Sequence, residues 1–162
     1  MNAPMSRRSV LMLAAATGLN CAAGRAFAVT TRGFTMPHSV RELCERYYDA
    51  WQHKNLQGIL GCVHPQIAFK SPNATTQGRD AYAAAARRFL PLVDRVEVRK
   101  TFTDTDAAMV AVDFHCIQPV GPCPTAERMK LRDGLIVEDE LYFDPRPFEA
   151  LARARAAAQA VK

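Results

Sequence analysis

The chain is 162 residues long, with 21 lysines and arginines against 16 aspartates and glutamates, a formal net charge of +5. Three of those arginines, Arg7, Arg8 and Arg25, lie in the first 28 residues, which hold no acid; the remaining 134 carry 18 bases against 16 acids, a net of +2. That length builds one domain around one core, and that charge gives no electrostatic basis for binding nucleic acid.

The first element in chain order is a leader. Arg7 and Arg8 precede an apolar run from Val10 to Ala23. The run has signal-peptide length and is short for a bilayer span. Ala26-Phe27-Ala28 supplies a small-x-small cleavage site, and Ser6-Arg7-Arg8-Ser9-Val10-Leu11 resembles the twin-arginine export signal. The resemblance implies a cleaved leader at 1–28, a periplasmic or secreted protein, and no membrane attachment of the mature form. A retained N-terminal anchor is the alternative. Residues 29–38 read as an unstructured lead-in, 39–151 as the domain, and 152–162 as a helical tail.

Ser39 followed by Glu42 forms a capping box. Val40, Leu43, Cys44, Tyr47, Tyr48 and Trp51 then recur at helical spacing. Asn55 caps a second, short helix with Leu56, Ile59, Leu60 and Val63 inward, ended by Gly61 and Pro65. The segment QIAFKSP reads as a strand stopped by Pro72, and NATTQGRD as a turn. Asp80 to Leu90 is a third helix, with Tyr82, Ala85, Ala86 and Phe89 on one face. After Pro91 the period changes from 3.6 to 2. Val96, Val98, Lys100 and Phe102 are expected on one face of a strand. On the next strand, Ala107 to Gln118, Val110, Val112, Phe114 and Cys116 share a face, with Ala111, Asp113, His115 and Ile117 on the other. PVGPCP is expected outside any central strand, because proline removes ladder donors. Strands at Glu127–Arg132 and Leu135–Phe143 flank the hairpin signal Asp133-Gly134. A last helix starts near Pro147. Helices first and an antiparallel meander after them predict an α+β fold, one strongly bent sheet wrapped around three helices.

Four cysteines follow the leader: Cys44, Cys62, Cys116 and Cys123. An oxidising compartment permits disulfides between them, and free buried thiols are the alternative. Their spacing does not match zinc, and the scattered His38, His53 and His64 make no metal motif. No metal or cofactor is expected.

The segments RYYDAWQHKNLQGILGCVHPQIAFKSP, GRDA and RDGLIVEDELYFDPRPF resemble, in their order and spacing, the SnoaL-like branch of the nuclear transport factor 2-like superfamily. The resemblance runs from about Ser39 to Leu151. It implies a cone-shaped α+β barrel with an apolar pocket in its mouth, a small apolar molecule as ligand, and a homodimer. In ketosteroid isomerases of that superfamily, a tyrosine on the first helix donates to the substrate oxygen, and Tyr47 falls at that place. Their base would fall at Ser71, which does not take a carbon-bound proton unaided, and their protonated acid near Arg128. In limonene epoxide hydrolases an Arg-x-Asp strand activates water; the strand here reads Ala111-Val112-Asp113, and Leu141-Tyr142-Phe143-Asp144 lacks the second aspartate.

Asp113 and His115, two apart on a strand, leave the same face and could act as an oriented acid–base pair; the alternative is a solvated or dimer-facing surface. Tyr47, Asp113 and His115 are therefore the candidate catalytic residues. Trp51, Phe69, Ser71, Asn73 and Phe89 are the candidate ligand contacts. In Glu138-Asp139-Glu140, strand alternation sends Asp139 to the same side as Val137 and Leu141, and a buried acid there would be a functional candidate. Two functions fit: proton-transfer chemistry of isomerase, cyclase, dehydratase or hydrolase type in an apolar pocket, or non-catalytic carriage of a small molecule.

Overall fold

The computed structural model describes residues 39–160, all within one unit that runs from Thr35 to Lys162. The expected leader and lead-in lie outside the described residues. Helix α1 (Val40–Gln52) begins where Ser39, in extended backbone, accepts the Glu42 N–H at 3.2 Å. Such a cap contributes about 1 kcal/mol. The α1 stripe buries Leu43, Cys44, Tyr47, Tyr48, Ala50 and Trp51. Asn55 caps α2 (Leu56–Gly61) through a 2.9 Å bond from the Gly58 N–H.

The chain then enters the sheet earlier than expected. Val63 opens β1 (Val63–Ser71) instead of closing α2, and Pro65 lies inside that strand. The expected turn after it contains β2 (Ala74–Gln77), so only Pro72-Asn73 make the bend. Two forces explain this: the β-branched Thr75 and Thr76 favour a strand, and the Ser71 hydroxyl both accepts the Ala74 N–H and donates to its carbonyl, at 3.1 and 3.3 Å. Helix α3 (Arg79–Phe89) passes through a 3-10 turn at Leu90–Leu92 into β3 (Val93–Thr103). Then follow β4 (Ala107–Cys116), β5 (Pro122–Arg132), β6 (Leu135–Tyr142) and α4 (Arg146–Ala160). Asp133 and Gly134 both adopt positive φ, 54° and 70°, as a two-residue hairpin turn requires.

The six strands form one sheet in the order β2-β1-β6-β5-β4-β3. The sheet is mixed, not purely antiparallel: β1 runs parallel to β6, and every other neighbour is antiparallel. Parallel strands need a long connection, and the chain supplies one through α3 and the β3–β5 meander. Helix α1 packs on β3 and β4, and α3 on β1 and β2. Phe148 and Leu151 of α4 lean on the core, while no residue of that helix is buried. The architecture is α+β, as expected.

Two further expectations are corrected. A register shift between Val98 and Lys100 breaks the β3 alternation: Val98 still opposes the inward Val112, whereas Lys100 and Phe102 oppose Ala111 and Met109 on the other face, leaving Phe102 exposed. And β5 starts inside PVGPCP. It tolerates Pro122 and Pro124 because it pairs with β4 alone until Ala126, where β6 joins; there the strand is locally an edge. The four cysteines are buried free thiols, and burial pushes Cys44 and Cys116 up to about 12.

Candidate functional site

Alternation along β4 and β5 builds the inner wall of the sheet. Phe114 of β4 and Cys123, Thr125, Glu127 and Met129 of β5 are buried. On β6 an extra residue, Val137, opposes the Lys130–Leu131 step. That bulge lets Ile136 and Asp139, three apart, both turn inward. Glu127 and Asp139 are thereby carried into the interior, each at 1% exposure.

Between this wall and α1 and α3 lies a cavity of about 310 Å³, at the small end of the ~300–1,000 Å³ range of ligand sites. Its sides are aromatic: Trp51, Phe69, Phe89, Phe114, Phe143 and Phe148. These rings pack edge to face, Trp51 against Phe89 at 5.7 Å and against Phe114 at 5.9 Å between centroids. The buried residues Tyr47, Tyr82, Thr125 and Glu127 form a polar floor, and the exposed Asn73 and Arg88 stand at the mouth with half-buried Ser71.

The floor is one hydrogen-bonded network. The Tyr47 and Tyr82 hydroxyls are 2.7 Å apart, and Tyr47 donates to Asp139 Oδ2 at 3.3 Å. Tyr48, on the next position of α1, donates to Glu127 Oε2 at 2.8 Å. Asp139 and Glu127 are buried neighbours whose carboxyls shift one another's titration. Burial, reinforced by the Glu127 charge, holds the Asp139 carboxyl well above the usual carboxylate range. Burial raises Glu127 too, and donation from Asp139 and Tyr48 works against that rise. The physical reading is one proton shared by two carboxyls, with Asp139 its donor and Glu127 the charged partner. Glu127 Oε1 and Asp139 Oδ1 are buried with no hydrogen-bond partner among the described residues. Burial, above all, raises Tyr47 and Tyr82 well above the ordinary phenol value, so both stay protonated donors.

Of the residues singled out from sequence, Tyr47, Trp51, Phe69, Ser71, Asn73 and Phe89 all line this cavity. Ser71 spends its hydroxyl on the Ala74 backbone. Asp113 and His115 do not line it. They occupy the opposite face of β4, since Val112 and Phe114 take the inward positions. There Arg99 Nη2 donates to Asp113 Oδ1 at 2.7 Å, Arg95 Nη2 lies 2.9 Å from His115 Nε2, and Glu97 lies 3.5 Å from the same nitrogen. The two side chains are tied to different arginines of β3 rather than to one another, so the expected acid–base pair does not assemble at the cavity. Glu127, Tyr82 and Arg88 are the polar pocket residues, with Thr125, that were not among the candidates. Glu127 adjoins Arg128, the position where the resemblance placed an acid. Strand alternation with Thr125 and Met129 is the signal that would have found it.

Among the described residues no group of three or more His, Cys, Asp or Glu is placed to hold a metal ion, and no helix is long and apolar enough to cross a membrane. No curated protein matches the chain significantly. The fold is similar to a crystal structure from Kribbella flavida that is 27% identical, covering 72% of this chain and 95% of that one with a TM-score of 0.65. TerC, co-crystallised with polyporic acid, is 18% identical over 68% of this chain and 95% of its own, with a TM-score of 0.60. A Catenulispora acidiphila protein of ketosteroid isomerase-like fold, in complex with trimethylamine, is 18% identical over 65% of this chain and 88% of its own, with a TM-score of 0.57. The family model of the SnoaL-like domain matches residues 44–139. With that match spanning more than half its length and its fold shared with these structures, the chain belongs to the SnoaL-like domain family.

Proposed function

We propose that this protein is an exported enzyme that binds a small apolar carbonyl compound in its aromatic pocket and moves a proton on it. The observation that carries the reading is a pair of carboxyls at 1% exposure under the pocket, bridged to it by two tyrosines. Burying a charge costs several kcal/mol even after relaxation. A fold spends that energy where a displaced pKa has a use. The substrate oxygen takes a hydrogen bond from the Tyr47–Tyr82 pair. Glu127, which lines the pocket, receives the proton from the adjacent carbon, and Asp139 holds the other carboxyl proton so that only one negative charge is buried. As charge builds on the substrate oxygen, the preset phenols stabilise it in a site that excludes water. This is enolisation, the first half of an isomerisation.

The test is exchange of the α-protons of a panel of aryl ketones in D2O, followed by NMR. Expected is exchange above the buffer rate that falls at least ~100-fold in Glu127→Gln. Exchange that survives that substitution overturns the reading. Binding without exchange favours the second reading, a non-catalytic carrier. One observation supports that alternative: the hydroxyls of Tyr47, Tyr48 and Tyr82 are all engaged inside the protein.

Export and assembly are parts of the same proposal. The export reading predicts a periplasmic form that begins at Val29, and its loss when Arg7 and Arg8 are both replaced by Lys. The outer side of the sheet offers a homodimer face: Phe102 opposes Met109 across β3–β4, and Tyr142 stands exposed on β6. Sedimentation of the full chain and of Phe102→Glu tests it, the variant being expected as monomer.

A further inference from the structure

The pocket's polar groups divide into satisfied and unsatisfied ones, and the division selects a ligand. Ser71 is closed on the Ala74 backbone, and the Thr125 hydroxyl donates to the Cys123 carbonyl at 3.1 Å. Tyr47 and Tyr82 bond one another. Three donors in the lining have no partner among the described residues. The Trp51 indole N–H is buried and unpaired, in a side chain only 5% exposed. The guanidinium of Arg88, on the last turn of α3, makes no ion pair or hydrogen bond, and the Asn73 amide at the β1–β2 bend makes none. No carboxylate stands at the mouth; the one acid in the lining, Glu127, is on the floor. An unpaired arginine at a cleft draws an anion.

We propose that the occupant is an apolar acid, an aryl or alkyl body carrying one carboxylate or comparable anion. The body fills the aromatic sleeve, with the Trp51 ring in its wall, and the anion rests on Arg88 and Asn73 at the mouth. This rests on the pocket reading above and names the substrate class for it. The polarity also orients the ligand: its anion stays away from the buried carboxyl pair, so the uncharged end is the one presented to Tyr47 and Glu127.

Trp51 is the only tryptophan in the chain, so its fluorescence reports occupancy directly. The experiment titrates the full-length chain at pH 7.5 with three matched probes: 4-phenylbutanoate, 4-phenylbutanamide and 4-phenylbutylamine. Expected is tighter binding of the carboxylate than of the amide by about three- to fivefold, the size of a well-placed exposed charge pair, shrinking toward parity at 0.5 M salt. Arg88→Gln should abolish that preference, bringing the carboxylate and the amide to similar affinity. Arg87→Gln, on an exposed neighbour outside the pocket lining, should preserve it. Equal binding of amide and carboxylate overturns this inference and leaves the pocket reading standing. Tightest binding of the amine overturns it as well, since the floor carboxyls would then be the cation's partner. No response to any of the three overturns the pocket reading itself.

Discussion

Asp139 and Glu140 are chain neighbours with opposite fates. Strand β6 turns Asp139 inward, where burial and the Glu127 charge hold its carboxyl well above the usual range. It turns Glu140 outward, where bonds from Lys70, at 2.8 Å, and Arg128 help bring it down to about 2. The same contrast runs across the sheet. Inside, Glu127 meets tyrosine hydroxyls and one other acid; outside, Glu97 is held below its ordinary value by Arg95. The side of the sheet, more than the residue type or the local motif, decides whether an acid is reactive or merely solvated. Four experiments test that division.

The largest difference should be in packing. Phe114 on the inner face is 2% exposed and touches the Trp51 and Phe89 rings, whereas Phe102 on the outer side is 60% exposed. Phe114→Ala should cost about 3 kcal/mol in urea denaturation, the low end for a buried aromatic because the cavity already borders it. Phe102→Ala should change stability by less than ~0.5 kcal/mol. Equal effects would mean that both faces are packed in solution, through a tight dimer.

Next comes chemistry. Glu127→Gln should lower ketone proton exchange at least ~100-fold, a barrier change of about 2.7 kcal/mol. Tyr47→Phe should lower it less, because Tyr82 can still donate. The comparison sharpens if Asp113→Asn, on the outer face of the neighbouring strand, leaves exchange within about twofold of the parent.

Third is the response to pH, where the two faces should pull in opposite directions. For the inner pair the folded carboxyls titrate above the unfolded ones, so the folded state holds the extra proton. Its stabilising effect is complete below about pH 4 and is lost as pH rises through the raised values, by at most ~1.4 kcal/mol per pH unit for one proton. Glu140 works the other way: its folded value of about 2 lies below the unfolded one, so its contribution is present above about pH 4.5 and is lost as pH falls toward 2. Denaturation curves from pH 3 to 8 should show Asp139→Asn flattening the decline toward higher pH, and Glu140→Gln flattening the decline toward acid. An unchanged profile in Asp139→Asn would mean that the two inner carboxyls do not share a proton in the folded state.

Much of this was legible in the sequence, and the failures have common causes. The helical stripe of α1, the two caps and the Asp133-Gly134 turn follow from local rules that tertiary structure does not override. The six candidate pocket residues on α1, β1, the β1–β2 bend and α3 line one cavity, because helix faces and strand ends set their directions. Tyr82 shows in the sequence only as part of a helix face, because its hydroxyl partner, Tyr47, is 35 positions away. Glu127 was missed because its strand begins five residues earlier than the prolines suggested, which hid the alternation with Thr125. Parallel pairing of β1 with β6 and the Val137 bulge are non-local, set by how the sheet closes, and no window of sequence states them. Asp113 and His115 show the opposite error. The spacing put them correctly on one face, and only the fold says which face.

That last pair yields the smallest expected effect. His115 and Asp113 are held by surface arginines, His115 by Arg95 at 2.9 Å and Asp113 by Arg99 at 2.7 Å. Partly exposed pairs of this kind contribute about 0–1 kcal/mol. His115→Gln should therefore shift stability by under ~0.5 kcal/mol, and ketone exchange by less than twofold at every pH from 5 to 8. A histidine acting in catalysis would instead bend the pH–rate profile near its own titration, and its removal would straighten that bend. Should His115→Gln erase a bend in the exchange profile, the outer face would hold the chemistry, and the buried carboxyls would revert to a structural network.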